Sequence, residues 1–155
     1  MVGTFPSILC ILAFASVCQC ANILYISTLP SRSHHIWDHT LAMGLLERSH
    51  NITFFTHSPE MKTTNFTPIV IEGVYEEIAI TVNYVDWYKV STLNSIIGIY
   101  DWFGWICAKD LESKAIHSLL TEAKNGVKYD LIIMDMTTGQ CLYPLIELTL
   151  PSPLA

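Results

Sequence analysis

The sequence predicts an α/β fold built on a parallel sheet, and three observations support this prediction. Residues 21–27 and 51–56 are short apolar runs rich in strand-forming side chains. The residues between them, 34–48, have helical periodicity, so strand, helix and strand follow one another as in a βαβ unit with parallel strands. Residues 129–135 place four consecutive apolar side chains between two aspartates, a pattern typical of a parallel strand buried on both faces. Together they indicate a Rossmann-like sheet.

The first half of the chain supplies the βαβ unit. Ser33 is expected to cap the first helix, where apolar side chains recur every fourth residue, at Trp37, Leu41 and Leu45. The second strand follows directly, and residues 67–72 predict a third strand.

The second half of the chain is predicted to be mainly helical until its last strand. Residues 76–88 have no decisive period, and residues 91–120 indicate two helices that meet near residues 109–113. If the strand order is doubly wound, strand 129–135 lies beside the first strand. A turn at residues 137–139 then leads into a last helix, 140–148.

Composition limits the classes of function. The 155 residues suit one domain, and a hydrophobic fraction of 51% with only 14% charged residues argues against disorder. The net charge of −6 provides no basic patch, so we expect no nucleic-acid partner.

Residues 1–20 are expected to be a signal peptide. Residues 5–17 form an apolar run too short to span a bilayer, and small residues precede Ala21, before which cleavage is expected. The alternative is a buried first strand or helix. Cleavage would leave residues 21–155 with two of the five cysteines, Cys107 and Cys141, which the sequence allows either to pair or to stay free thiols.

The chain is expected in the secretory pathway, in the lumen of the endoplasmic reticulum or outside the cell. No later run of about 18 apolar residues predicts a transmembrane segment. Two sequons, at Asn51 and Asn65, suit this compartment, and Asn65 is the better glycosylation candidate because Asn51 begins a predicted strand.

The segment SRSHHIWDH, residues 31–39, groups three of the six histidines of the chain. His35 and His39 lie four residues apart with Asp38 between them, which resembles the H-x-x-E-H zinc motif with Asp for Glu. No third protein ligand is evident, however, and zinc needs one. We therefore predict no metal, and we interpret His35 and His39 as solvated side chains.

The same segment follows the first strand, at the edge where open α/β sheets bind ligands. Its loop, residues 28–33, contains no glycine, which argues against a dinucleotide site. A histidine at a helix N-terminus tends to stay neutral, as a general base must. Asp135 ends strand 129–135 at the same edge and would orient such a base. The alternative for Asp135 is a polar strand end or a helix cap.

Aromatic residues are concentrated between residues 84 and 105. They either pack in the core or form the wall of an apolar ligand pocket, and the two roles are compatible. The seven are Tyr84, Trp87, Tyr88, Tyr100, Trp102, Phe103 and Trp105.

Nearly all of residues 21–147 resembles the N-terminal half of the UDP-glycosyltransferases, in particular the insect-type members. The matching stretches are ANILYISTLPSRSHHIWDHTLAMGLLERSHNITFFT, PIVIEGVYEEI, CAKDL and KYDLIIMDMTTGQCLYPLIE. The resemblance implies the acceptor domain of a GT-B fold, in which two Rossmann-like domains face each other across a cleft. The N-terminal domain holds a small lipophilic hydroxyl acceptor, and the C-terminal domain holds the UDP-sugar.

The resemblance also assigns the catalytic residues. The family's base directly follows the serine and precedes by sixteen residues the histidine that ends the helix, which selects His34, because His50 ends the helix here. Its carboxylate partner is the second aspartate of the strand motif, Asp135. Transfer would proceed with inversion and expulsion of UDP, without metal or cofactor other than the UDP-sugar donor.

Two departures from the family follow. Ser49 stands where the family commonly has glycine at the helix end. After Glu147 the chain reads LTLPSPLA and stops, so we expect an acceptor domain incomplete at its C-terminal end, with the donor domain and membrane anchor absent. Such a chain would have almost no transfer activity alone. The alternative is a non-catalytic module that binds lipophilic molecules or pairs with full-length transferases.

Overall fold

The structure, a computed structural model, describes residues 20–81 and 89–151. The strands are β1 Asn22–Ser27, β2 Asn51–Thr56, β3 Phe66–Val70 and β4 Leu131–Met134. The helices are α1 Arg32–Glu47, α2 Val74–Thr81, α3 Thr92–Glu112, α4 Lys114–Lys124 and α5 Tyr143–Thr149, and a 3₁₀ helix, Gly139–Leu142, precedes α5.

The four strands form one parallel sheet in the order β3-β2-β1-β4. This confirms the predicted α/β fold, and it confirms that the fourth strand lies beside the first. In the register, Ile26 of β1 is opposite Phe55 of β2 and Met134 of β4. The carboxyl ends of β1 and β4 therefore meet at one edge of the sheet.

The core has two apolar layers because β1 is buried on both faces. Leu24 and Ile26 point into one cluster, where Leu119 of α4 is also buried. Ile23 and Tyr25 point to the opposite face, where Ala42 of α1 packs. This alternation of side chains along β1 separates α1 from α4 and places the start of α1 above the carboxyl end of β1.

The prediction that residues 129–135 form a strand buried on both faces is wrong. Among the described strands β4 has a neighbour only on the β1 side, and Leu131 is 46% exposed. An apolar run does not reveal whether its strand is central or at an edge.

The prediction that Ser33 caps the first helix is also wrong. Helix α1 begins at Arg32, with Ser31 at the N-cap position, so that Ser33 lies within the first turn. The Ser31 side chain makes no capping hydrogen bond, and its Oγ lies 3.0 Å from Ser33 Oγ instead. The two hydroxyls satisfy each other and leave the first turn without a side-chain cap.

The helical region after residue 91 agrees with expectation. Helices α3 and α4 meet at Ser113, whose side chain accepts a hydrogen bond from the Ile116 backbone N–H at 3.2 Å. The last predicted helix is instead a 3₁₀ helix followed by α5. Cys107 of α3 and Cys141 of the 3₁₀ helix form a disulfide, with Cα atoms 6.2 Å apart, which excludes the free-thiol alternative.

The expected signal peptide lies outside the described residues, except for Cys20. Within the described part of the chain, each helix is too short or too polar to span a bilayer. Disulfides persist mainly in oxidising compartments, so the Cys107–Cys141 bond is compatible with a secreted or lumenal protein.

Candidate functional site

His34 and Asp135 meet at the carboxyl edge of the sheet. His34 lies in the first turn of α1, and its Nδ1 is 2.7 Å from Oδ2 of Asp135, 101 residues further along the chain. The Asp135 side chain is 10% exposed, whereas that of His34 is 41% exposed. A buried carboxylate thus holds an imidazole that solvent or a ligand can reach.

Asp135 is fixed by backbone groups on both sides. Its N–H donates to the Ile26 carbonyl at 2.9 Å, which continues the β1–β4 ladder, and its Oδ1 accepts from the Thr137 N–H at 2.9 Å. Burial alone would raise the pKa of Asp135, but hydrogen bonds from Thr137 and His34 outweigh it and hold that pKa below its ordinary value. Asp135 is therefore a carboxylate at neutral pH.

This contact selects one tautomer of His34. A carboxylate accepts hydrogen bonds and cannot donate them, so Nδ1 of a neutral His34 must have the proton. Nε2 is then the ring nitrogen with a free lone pair. An imidazole held in this tautomer by a carboxylate can take a proton from a hydroxyl, and the carboxylate stabilises the resulting cation.

Two threonines that the sequence analysis did not select connect the loops of the site. Thr28, directly after β1, and Thr138, three residues after Asp135, are both buried, and their hydroxyl oxygens lie 3.0 Å apart. The bond joins the loop that leads to His34 with the loop that holds Asp135. No sequence pattern marks a loop threonine as a partner in such a contact, so the sequence did not predict it.

A cavity of about 640 Å³ adjoins Asp135. Thr137, which donates to Asp135, is part of its wall, and so is Thr138. The facing wall is the apolar side of α3, and its lining residues there are Ile96, Ile99, Tyr100, Phe103 and Gly104. The Cys107–Cys141 disulfide joins the two walls. The volume is in the range of cavities that hold small organic ligands.

The aromatic stretch divides between the two predicted roles. Trp102 and Trp105 pack against the buried core, as the packing interpretation expects. Tyr100 and Phe103 line the cavity, as the pocket interpretation expects. The other three, Tyr84, Trp87 and Tyr88, lie outside the described residues.

His35 and His39 are not the solvated bystanders that we expected. Both face Glu60, in the loop after β2, with Nε2 to carboxylate distances of 2.9 Å for His35 and 3.6 Å for His39. Burial lowers the pKa of His35, although the Glu60 charge opposes this shift. Glu60 lies 21 residues beyond His39 and in no motif with it, so the sequence did not reveal this contact.

The His35–His39–Glu60 group has the ligand types of a zinc site, but its arrangement favours hydrogen bonding. Nδ1 of His35 is buried without a hydrogen-bond partner among the described residues. A metal on Nε2 would require a proton on this buried Nδ1, where nothing accepts it. Over residues 20–81 and 89–151, no three His, Cys, Asp or Glu side chains are placed to hold an ion. The absence of a metal stays a prediction.

The two predicted glycosylation sites differ in their surroundings. Asn51 begins β2, and its side-chain amide donates to Asn22 Oδ1 at 3.0 Å. Asn65 is exposed in the turn before β3, with φ of 62°. The Asn65 amide lies outside the strands, in line with the preference for this site, and glycosylation at either position stays a prediction.

A second histidine–aspartate pair is fully buried. Nε2 of His57, directly after β2, lies 2.9 Å from Oδ1 of Asp110 in α3, and both side chains are at most 1% exposed. Burial raises the pKa of Asp110, opposed by the contact with His57. The pair attaches α3 to the sheet, and its burial removes it from direct contact with a ligand.

Comparison with known proteins adds no relative to this picture. No protein-family model, curated protein or solved structure matches the chain.

Proposed function

We propose that this chain is the acceptor-binding domain of a GT-B UDP-glycosyltransferase, with His34 as the base that activates an acceptor hydroxyl. The observation that supports this most is the His34–Asp135 contact of 2.7 Å, in which Asp135 also accepts a hydrogen bond from Thr137, a residue in the wall of the largely apolar cavity. The resemblance to UDP-glycosyltransferases selects the same two residues independently of the geometry.

In the proposed reaction, a small lipophilic acceptor lies against α3 with its hydroxyl near His34. Nε2 of His34 removes the hydroxyl proton while the oxygen attacks the anomeric carbon of a UDP-sugar. The bond from that carbon to the phosphate oxygen breaks, its electron pair leaves with UDP, and the anomeric configuration inverts. Asp135 stabilises the imidazolium that forms.

The proposal assigns no binding site for the UDP-sugar to the described residues. The UDP-sugar would be held by a second domain across the cleft, because transfer requires both reactants to be positioned together. In this proposal the described residues bind the acceptor, and transfer requires the second domain as well. A setting in the endoplasmic reticulum lumen, with the disulfide formed and a glycan on Asn65, belongs to the same proposal.

Two glycines of α3 provide a test of the acceptor cavity. Gly104 lines the cavity, Gly98 does not, and a Cβ added at either meets no atom within 4 Å. Gly104→Met should therefore extend a side chain into the cavity and lower the affinity for small phenols at least tenfold. Gly98→Met should leave the affinity unchanged, although both substitutions favour the helix by up to about 1 kcal/mol. Tryptophan fluorescence during phenol titration measures both.

Equal affinities in the two variants would mean that phenols bind elsewhere and would reject this cavity as the acceptor site. The alternative function is a non-catalytic module that binds lipophilic molecules or pairs with full-length transferases. The cavity suits such a module equally well, whereas the oriented His34 has no use in it. Whether His34 takes a proton from the bound phenol distinguishes the two functions.

A further inference from the structure

Asp38 lies one helical turn after His34 and is bound to β1. Its Oδ1 accepts a hydrogen bond from the Tyr25 hydroxyl at 2.9 Å, and its Oδ2 accepts one from Ser27 Oγ at 2.5 Å. Tyr25 and Ser27 alternate with Ile26 along β1, so both point to the face on which α1 packs. Both donors are buried, with 3% and 1% exposure.

The Tyr25 hydroxyl remains a donor over the whole physiological pH range. Burial raises the pKa of Tyr25 far above its ordinary value, and the charges of Asp38 and Asp135 raise it further. Both carboxylate oxygens of Asp38 are thus hydrogen-bonded to side chains of β1, whereas His34 is hydrogen-bonded to Asp135.

The first turn of α1 depends on such an attachment. Ser31 makes no side-chain capping bond, so the turn that contains His34 lacks the usual restraint on fraying. Residues four apart lie on one face of a helix, about 6 Å apart along its axis. Fixing Asp38 to β1 therefore fixes the rotation and height of His34 as well.

The position of Asp135 is also set by β1, through the pairing of β4 with that strand. It follows β4, where Met134 is paired with Ile26 of β1, and its N–H donates to the Ile26 carbonyl. His34 and Asp135, the two residues of the 2.7 Å contact, are thus both positioned relative to β1. We propose that Asp38 is a positioning residue, which uses Tyr25 and Ser27 to place His34 Nδ1 against Asp135; this role rests on the proposed function of His34.

The test removes the attachment and keeps the charge. The variant Tyr25→Phe/Ser27→Ala deletes both donors while the Asp38 carboxylate stays. Nitrogen-15 NMR of the chain reports the tautomer of His34, and its Nδ1–H proton reports the bond to Asp135. We expect one tautomer, with the proton on Nδ1, in the parent chain, and a mixture in the variant, with Nδ1–H exchange at least tenfold faster.

A role in stability alone would lower the melting temperature and leave the His34 tautomer unchanged, and that result would overturn the proposal. The single variants Tyr25→Phe and Ser27→Ala are measured as well. If the double variant does not fold, the His34 tautomer in the single variants decides the question. Thr40→Ala is the control, because Thr40 Oγ1 donates its hydrogen bond to the Ile36 carbonyl of the same helix and not to β1. Its His34 spectrum should match that of the parent chain.

The measurement needs neither acceptor nor UDP-sugar. A parent chain that binds no phenol, together with an altered His34 tautomer in the variant, would therefore reject the proposed function and keep the positioning role. Normal phenol binding by the parent chain, with an unaltered His34 tautomer in the variant, would keep the proposed function and reject the positioning role.

Discussion

The lowered pKa of Asp135 makes the stability of the chain depend on pH. Hydrogen bonds from Thr137 and His34 hold its pKa below the ordinary value of 3.8, although burial opposes them. The folded chain therefore binds fewer protons at this carboxyl than the unfolded chain does. Its contribution to stability is complete above the ordinary value and is lost as the pH falls through the lowered pKa.

The prediction concerns the difference in free energy of unfolding between the parent chain and Asp135→Asn. This difference should be positive near about pH 5 and should shrink as the pH falls through the lowered pKa of Asp135, because the parent carboxyl then becomes neutral like the Asn side chain. Urea unfolding at several pH values measures it. Asp101→Asn is the control, because it removes the same charge at an exposed position of α3, away from the His34–Asp135 contact. A constant difference for Asp135→Asn would contradict the lowered pKa.

The sequence predicted that His34 and Asp135 lie close together, but it did not predict the residues that hold them in place. His34 and Asp135 stand in recognisable motifs, one at a helix start and one at a strand end. The contacts of Glu60 and Thr28 and the Tyr25–Asp38 hydrogen bond join loops and helix faces that are distant in sequence. The spacing of residues along the chain does not predict such contacts. His35 and His39 were placed on the correct helix, but their partner lies in a loop without regular structure.

Among the elements, the end of α1 stores a small strain. Ser49, just after the helix, has φ of 69°, in the left-handed region that the departure from Arg-Gly-His predicts. Ser49→Gly should raise the free energy of unfolding by about 0.5–1 kcal/mol, because glycine adopts this φ without a Cβ penalty, partly offset by its greater freedom in the unfolded chain.

The matched control is Gly126, which follows α4 with φ of 90° and has no atom within 4 Å of an added Cβ. Gly126→Ser should lower stability by about 1 kcal/mol, through the backbone alone. Thermal and urea unfolding measure both variants. A lower stability for Ser49→Gly would mean that the Ser49 side chain makes a favourable contact that outweighs the strain.

Element types were predictable because periodicity reports which face of a segment is apolar. The four strands, the long helical region and the junction at Ser113 follow from that signal. Element ends and burial were less predictable. Helix α1 starts two residues earlier than predicted, with Ser31 at its N-cap position. Strand β4 lies at the edge among the described strands, a position that depends on the rest of the fold and not on its own sequence.

For the whole molecule, the disulfide is the strongest single restraint between distant elements. Cys107 and Cys141 are 34 residues apart, and their bond joins α3 to the loop region after β4. In the loop-entropy model, a bond that closes a loop of this length stabilises the fold by about 3–4 kcal/mol. The sequence left open whether these thiols meet, since two cysteines fix no geometry.

Cys107→Ser/Cys141→Ser should therefore unfold at a lower urea concentration than the oxidised chain. Reduction of the parent chain should lower its midpoint to a similar value, whereas the variant should not respond to reductant. Both sulfur atoms lie in the cavity wall, so affinity for phenols should fall as well. Equal stability of oxidised and reduced chain would show that the bond contributes nothing to the folded state.

The parallel sheet brings His34 and Asp135 together, and the central claim is that His34 takes a proton from a hydroxyl bound beside them. The most direct measurement is the absorbance of 4-nitrophenol bound to the chain, because its phenolate absorbs where the phenol does not. Below the pKa of the free phenol, the parent chain should raise the phenolate fraction, and His34→Ala should bind the ligand without doing so. His39→Ala should behave as the parent chain does. A bound phenol that stays protonated in the parent chain, or an equal phenolate fraction with His34→Ala, would contradict the account.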